Sequence, residues 1–330
     1  MTLSAFVTGA TGFVGAHLAR ELALNGWSVT ALVRKNSPLA ELKGLDIELR
    51  QGDLVDADSV REAMPPTVDA VFHIAASTNV WYRQNEAQTR VNVDGTRNVI
   101  RACEQRRARR FIHTSSFIVW GFQPDRLTEE NVRLDNADWI NYVRTKWAAE
   151  QLVDAAAARG LDTVILNPAH ILGPGDRHNW SRMIKLVDTG TLPGVPPGGG
   201  AFCDVREVAK AHVQAFHHGR PGQRYLLGGE DIEFLDLVRM TGEILGRKVP
   251  PQASPAWLLK TMGRLYQAGS RLSGIEPVLT PESAAMITQH IDCDSSRAQR
   301  ELNYRFTPPR DLLLDTISWM KDNGMLSERS

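Results

Sequence analysis

Thr8-Gly9-Ala10-Thr11-Gly12-Phe13-Val14-Gly15 is the stretch whose reading decides the fold. It follows a short apolar run, Ala5-Phe6-Val7, and opens a segment with Val14, Leu18 and Leu22 at helical spacing. Strand, glycine turn and helix in that order begin a parallel α/β sheet. Each glycine has its own task. Gly9 permits the tight turn, Gly12 lets the backbone approach a pyrophosphate, and Gly15 allows close packing of helix on strand. The helix start offers unpaired N–H groups and the positive end of its dipole to phosphates. The turn therefore predicts a bound dinucleotide, held by Thr8, Gly9, Thr11, Gly12, Phe13, Val14 and Gly15. A bare structural turn is the bland alternative, and the strand–turn–helix context weighs against it.

Outward from that turn, strand and helix patterns alternate. Gly26 ends the first helix, and residues 28–33 and 47–49 read as the next two strands. Residues 70–75, 111–115 and 163–167 read as further strands, with helices at 91–105 and 139–158. Strands separated by helices predict a Rossmann-type, doubly wound parallel sheet covered on both faces. From Pro168 to Gly200, proline and glycine are frequent and long loops are expected. Residues 204–227 read as a helix and a strand returning to the sheet, and the chain beyond Gly228 as mainly helical. The expected division is an NADP-binding domain of residues 1–166 plus about 201–228, and a smaller, mainly helical substrate domain of about 167–200 plus 229–330.

Bulk composition narrows the function classes. The chain has 330 residues, 42% hydrophobic and 23% charged, as in an ordinary soluble globular protein. Lys plus Arg equals Asp plus Glu, so the basic excess of a nucleic-acid binder is missing. The cluster Arg106-Arg107 with Arg109-Arg110 reads as a solvated helix end. Cys103, Cys203 and Cys293 lie far apart without metal-ligand spacing, so no metal is expected and a reducing cytoplasm suits them. No apolar run is long enough for an integral membrane segment. The first four residues lead straight into a strand, without the pattern of a signal peptide.

The end of the second strand bears on the choice of cofactor. An acidic residue there would bind a ribose 2′-hydroxyl. Val33 occupies the place, followed by Arg34 and Lys35, two cations able to pair with a 2′-phosphate. NADP(H) is therefore preferred, with NAD(H) as the alternative; a solvated loop is the bland reading of the two cations. Asp53, in Gly52-Asp53-Leu54, reads either as an adenine contact or as a turn or helix-capping residue.

Tyr142 and Lys146 stand four apart on a helix, hence on one face. A tyrosine hydroxyl ordinarily titrates near pH 10. A neighbouring ammonium and a positive nicotinamide ring would favour the phenolate, and the pair would move a proton at a carbinol oxygen as hydride moves to or from the cofactor. A serine hydroxyl at the end of the strand His113-Thr114-Ser115-Ser116 would hold the same oxygen.

With these residues in view, the chain resembles the extended short-chain dehydrogenase/reductase family over nearly its whole length. The matching pieces are Thr8 to Gly15, Gly52-Asp53-Leu54, His73-Ile74-Ala75-Ala76, Asn92-Val93-Asp94-Gly95-Thr96, His113 to Ser116, the Tyr142/Lys146 pair and Gly173-Pro174-Gly175-Asp176. The resemblance implies Ser116, Tyr142 and Lys146 as the catalytic triad, with Ser115 as the alternative serine. It implies Asn92 as the helix asparagine that holds a water near the lysine. Leu54, Ala75, Ala76, Ser77, Thr114, Asn167, Pro168 and His170 complete the implied cofactor-binding set. His73 is expected to pack structurally. The closing stretch from Asp294 to Tyr304 also resembles the family's C-terminal helix and turn, so a complete chain is expected. By the same analogy the enzyme would be a homodimer.

The family includes nucleotide-sugar epimerases and dehydratases as well as reductases of bulky ketones. Sugar-nucleotide members commonly carry an arginine where this chain has Gly198-Gly199-Gly200. The stretch looks more like dihydroflavonol-reductase-like and 3β-hydroxysteroid-dehydrogenase-like members. Trp81, Tyr82, Phe117, Trp120 and Trp180 are aromatic candidates for the substrate mouth, joined by Ser116, Tyr142 and His170. Ordinary packing is the alternative for each aromatic residue. The implied function is an NADP(H)-dependent oxidoreductase acting on a small-molecule substrate that is bulky and largely apolar. A sugar epimerase or dehydratase with tightly bound NAD(P) is the rival, and a non-catalytic dinucleotide sensor the second. Residues 257–266 form an amphipathic segment with Lys260 and Arg264, read as a lid or domain wall, with a membrane-surface role as the alternative.

Overall fold

A computed structural model of the chain describes residues 2–327. Its strands are β1 (Ser4–Thr8), β2 (Ser28–Val33), β3 (Ile47–Gln51), β4 (Ala70–His73), β5 (Arg110–Thr114), β6 (Thr163–Pro168), β7 (His170–Leu172), β8 (Gly199–Asp204), β9 (Arg224–Leu227), β10 (Glu230–Glu233) and β11 (His290–Ile291). Seven of them form one parallel sheet in the order β3-β2-β1-β4-β5-β6-β9. The winding direction reverses between β1 and β4, which opens a crevice beyond the carboxyl ends of those two strands. The glycine turn leaves β1 at that point.

Strand alternation explains the two covering layers. Along β1, Ala5 and Val7 join the apolar layer formed with helices Phe13–Leu24 and Val205–His218. Phe6, between them, points to the other face, where Ala57–Ala63, Gly95–Arg106 and Asn141–Ala158 supply the partners. Full burial of such a phenylalanine contributes about 2–3 kcal/mol. The sheet is apolar on both sides, as parallel sheets are.

The remaining chain packs over the carboxyl edge of the sheet. It is helical, as the sequence predicts, but it also holds a second sheet. β8 pairs in parallel with β7 and β11 and antiparallel with β10. β8 belongs to this smaller sheet, and the return to the main sheet read at residues 204–227 begins at Asp204 and runs through helix Val205–His218 to β9. Asp204 caps that helix by accepting from the Arg206 N–H. Sequence periodicity misses this sheet because three of its strands have two to four residues and β8 opens on two glycines.

Three histidines are built into the core. His73 links β1 to helix Gly95–Arg106, with Thr8 Oγ1 2.7 Å from Nδ1 and Thr96 Oγ1 2.9 Å from Nε2. His212 has Nδ1 2.7 Å from the Val208 carbonyl, so Nε2 accepts from the Thr114 hydroxyl at 2.7 Å. His113 stacks on His73 with ring centroids 5.4 Å apart. Burial holds all three neutral, His73 down to about 3, His212 to about 4 and His113 well below its ordinary value.

The unfolded chain takes up these protons near pH 6.5 and the folded chain does not. Their contribution to stability is therefore present above about pH 6.5 and lost as the pH falls. Each histidine is expected to cost about 2 kcal/mol by about pH 5. Thermal unfolding followed across that range checks this, and a constant midpoint contradicts it.

Candidate functional site

The turn is crowded on one side and open on the other. Gly9 has φ +78°, and a Cβ there would lie 2.6 Å from the Ala75 nitrogen. At Gly15 a Cβ would lie 2.0 Å from the Gly9 carbonyl oxygen. These two glycines are demanded by the fold itself. Gly12 is different, because a Cβ there meets only the Gly9 oxygen, at 3.3 Å. No side chain caps helix Phe13–Leu24, so its first N–H groups remain available to an anion. Across the crevice, the loop Gly173-Pro174-Gly175-Asp176 closes on this helix. His17 Nε2 lies 2.7 Å from the Pro174 carbonyl, and Gly175 approaches the Phe13 ring. Buried Asp176 holds that loop by accepting from the N–H groups of His178, Asn179 and Ser181.

At the end of β2, Arg34 and Lys35 are exposed, and neither forms an ion pair among the described residues. Asp53 is exposed and accepts from the Val55 N–H at 3.1 Å, a turn contact, while Asp56 caps the following helix. Leu54 is buried, and its carbonyl accepts from Asn98. Ala75 abuts Gly9, and Ala76 and Ser77 continue the loop beyond β4. Asn92 sits in a π-helical turn, Arg90–Asp94. Its Oδ1 accepts from the Ser77 N–H at 2.7 Å, and its Nδ2 lies 2.9 Å from the Ser77 carbonyl and 3.1 Å from Thr145 Oγ1. Asn92 thus pins the crevice loop to the helix that carries Tyr142 and Lys146.

Ser116 follows β5 and is buried, and its hydroxyl accepts from the Ile118 N–H at 3.5 Å. The Ser115 hydroxyl is buried and finds no partner among the described residues. Lys146 is buried one turn beyond Tyr142 and donates to the Thr114 carbonyl at 2.7 Å. Burial pushes Lys146 down to about 8, against the pull of the Glu150 carboxylate. Burial raises Tyr142 above its ordinary value, and the neighbouring Ser116 hydroxyl opposes that rise only in part. Within the chain alone, burial thus favours the protonated phenol. Lys146 spends its ammonium on a carbonyl, and desolvation dominates at the hydroxyl.

The sequence reading did not single out Glu150 or Arg224. Glu150 is fully buried, at 0% exposure, on the same helix face as Tyr142 and Lys146. It accepts from Asn167 Nδ2 at 2.7 Å and from Arg224 Nε at 2.9 Å. Asn167 Nδ2 also lies 3.1 Å from the Ser116 carbonyl, while its Oδ1 is buried without a partner among the described residues. Pro168 ends β6 beside it. A carboxylate four residues after Lys146, on the face turned to the core, is the signal that was there to read.

The aromatic candidates separate into groups. Phe117, His170 and Trp180 come together with Phe202 and Phe234, the four rings centred 5.1–5.5 Å from that of His170. Burial there lowers His170 to about 4. Trp120 is buried in the cluster that also holds Phe117 and against which Tyr142 packs, so Phe117 joins the two groups. Trp81 and Tyr82 stand apart from these, ring centroids 6.2 Å from each other, beside Arg83.

This arrangement has known counterparts. The profile of the NAD dependent epimerase/dehydratase family matches residues 5–228. The chain belongs to this family. It is 33% identical over 98% of its length to the full length of "Sterol demethylase protein B" of Methylococcus capsulatus. It is 32% identical over 97% of its length to "Putative dihydroflavonol 4-reductase" of a Synechocystis strain, covering 95% of that protein. Among solved structures, gox2253 superimposes with TM-score 0.84 at 32% identity, over 98% of this chain and 99% of the other. The chain is an NAD(P)-dependent oxidoreductase of the extended short-chain type, and its crevice takes a nicotinamide dinucleotide.

Glu150→Ala is expected to destabilise the fold by about 3 kcal/mol or more, since it leaves Arg224 and Asn167 without their shared acceptor. Glu150→Gln, which keeps an acceptor for Asn167, is expected to lose less. Denaturant unfolding of both variants measures this, and a loss below about 1 kcal/mol for the alanine variant contradicts it.

Proposed function

We propose that this enzyme is an NADP(H)-dependent reductase of bulky, largely apolar ketones or aldehydes, acting through Ser116, Tyr142 and Lys146. The observation that carries the proposal is the placement of Tyr142 and Lys146 one turn apart on helix Asn141–Ala158. The buried Lys146 reaches the Thr114 carbonyl at the end of the strand that leads into Ser116, and burial raises the Tyr142 hydroxyl above its ordinary value. Reduction of a carbonyl needs a proton donor at oxygen, and a protonated phenol is one. When bound, the dinucleotide supplies the hydride. Ser116 orients the carbonyl oxygen and Tyr142 gives it a proton, leaving an alcohol. Lys146, charged below about pH 8, steadies the phenolate left behind and holds the ribose.

Fit to the dinucleotide rests on three features. The outer side of Gly12 is open, the Asn167 oxygen is buried without a partner among the described residues, and Arg34 and Lys35 are free of ion pairs among them. The two cations, with no carboxylate at Val33, support NADP(H) over NAD(H). Thr8, Gly9, Thr11, Phe13, Val14, Gly15, Asp53, Leu54, Ala75, Ala76, Ser77, Asn92, Thr114 and Pro168 complete the proposed cofactor-binding set.

The apolar substrate class draws on two observations. Phe117, His170 and Trp180 gather beyond Ser116. At the place where sugar-nucleotide relatives carry arginine, a Cβ on Gly198 would lie 2.3 Å from the Gln289 carbonyl oxygen, and one on Gly200 2.5 Å from that of Ile291. No side chain fits at either glycine without moving the backbone. The names of the reductase relatives agree with this reading.

Two outcomes follow. Tyr142→Phe is expected to cut NADPH-dependent reduction of an aryl or polycyclic ketone by about 100-fold or more while leaving NADPH binding intact. Unchanged turnover sinks the mechanism. NADPH is expected to bind more tightly than NADH, and Arg34→Ser with Lys35→Ser to erase the difference. Tighter binding of NADH to the unaltered chain contradicts the cofactor assignment.

A further inference from the structure

Helix Ala256–Ser273 covers almost nothing. Of its 18 residues only Gly263 and Ser270 are buried. Gly263 packs directly on the backbone at Thr280, where a Cβ would stand 3.0 Å from the carbonyl oxygen. The helix therefore rests on a seam of small residues with Leu259 and Met262 half-buried, and turns most of its large residues outward. Trp257 is 68% exposed, Leu265 65% and Leu272 93%, with Leu258 and Tyr266 also in solvent. At about 100° per residue, Trp257, Thr261, Leu265, Ala268 and Leu272 form one stripe along the outer side. Lys260, Arg264 and Arg271 form a second stripe along its edge.

The charge is one-sided. The helix carries three cations and no acidic residue, in a chain whose formal net charge is zero. Exposed Ile275 and Val278 continue the apolar surface past its end. On the other flank, exposed Trp139 lines a cavity of about 520 Å³ together with Lys260, Arg264 and Phe122. Phe122 packs in the same cluster as Tyr142. The far end of the helix is tied to the loop after β4, where Arg83 donates to the Arg271 carbonyl at 3.3 Å.

We propose that this helix docks the enzyme in the plane of an anionic membrane surface. The outward apolar stripe enters the acyl boundary and the adjacent cations pair with lipid phosphates. An apolar stripe edged by cations alone matches such an interface. A second protein copy would bring this same basic face against its own cations unless the two helices were offset. No helix among the described residues is long and apolar enough to cross a membrane, so the contact is peripheral. The docked face adjoins the cavity beside the Tyr142 cluster, where a lipophilic substrate would arrive from the bilayer. The proposal stands apart from the catalytic reading, because vesicle binding is measured without turnover.

The test is co-sedimentation of the whole chain with phosphatidylcholine vesicles containing about one-third phosphatidylglycerol, against vesicles of phosphatidylcholine alone. Binding to the anionic vesicles and its weakening by salt are expected. Trp257→Glu with Leu265→Glu should abolish it, and Lys260→Glu with Arg264→Glu should weaken it by at least about tenfold. All variants should keep the circular dichroism and NADPH binding of the parent. Absence of binding to both vesicles overturns the proposal, as does binding indifferent to these substitutions. Sedimentation showing that Trp257→Glu with Leu265→Glu splits a dimer, without affecting lipid, assigns the face to a second copy and overturns it too.

Discussion

A carboxylate shut away from water, Glu150, is the constraint on which the organisation of the reacting end depends. An ionised carboxylate is costly to bury unless its lone pairs are met by charged or strongly polar donors. Arg224 from β9 and Asn167 from β6 meet them, so one side chain binds its own helix to two neighbouring strands. Asn167 reaches on to the Ser116 carbonyl. Lys146, a turn nearer Tyr142, keeps its charge near neutral pH in a buried place because this carboxylate is close. Fold stability and the protonation state of the site therefore share one ion pair. Such a pair adds little net stability over an apolar replacement, and the arrangement makes sense as a device that fixes position.

The second constraint is steric. Gly9 and Gly15 bring the first strand, the first helix and the loop after β4 to within backbone contact. That closeness sets the crevice at the reversal of the sheet and leaves Gly12 facing outward. Asn92 then couples the far side of the crevice to the catalytic helix through Ser77 and Thr145. The crevice wall and the helix that carries Tyr142 are thus tied by short polar bonds between elements that are otherwise held by apolar layers.

Much of this was legible in the sequence. The seven-stranded sheet was, because buried parallel strands and amphipathic helices leave strong periodic signals, and so were the glycines whose places are dictated by backbone contact. That Tyr142 and Lys146 share one helix face was legible in their spacing. Other features left no such trace. β7, β10 and β11 are too short to show a period, and Gly199-Gly200 reads as a loop until its partner strands are in place. The protonated state of Tyr142 follows from burial, which no local pattern reports. The position of Glu150 on the core face was readable, but its partners Asn167 and Arg224 come from distant strands that local spacing does not reveal. The mouth aromatics were grouped by type, whereas the fold divides them among separate clusters.

In the proposed reaction, hydride leaves the dinucleotide for an external carbonyl carbon while Tyr142 supplies the proton. Incubation with NADPH deuterated at the transferring position and an apolar ketone, followed by mass spectrometry of the alcohol, tests it most directly. One deuterium on the carbinol carbon is expected, with labelled alcohol reduced about 100-fold or more when Tyr142 is replaced by phenylalanine. Absence of labelled alcohol, together with interconversion of a sugar nucleotide without net consumption of cofactor, would contradict it.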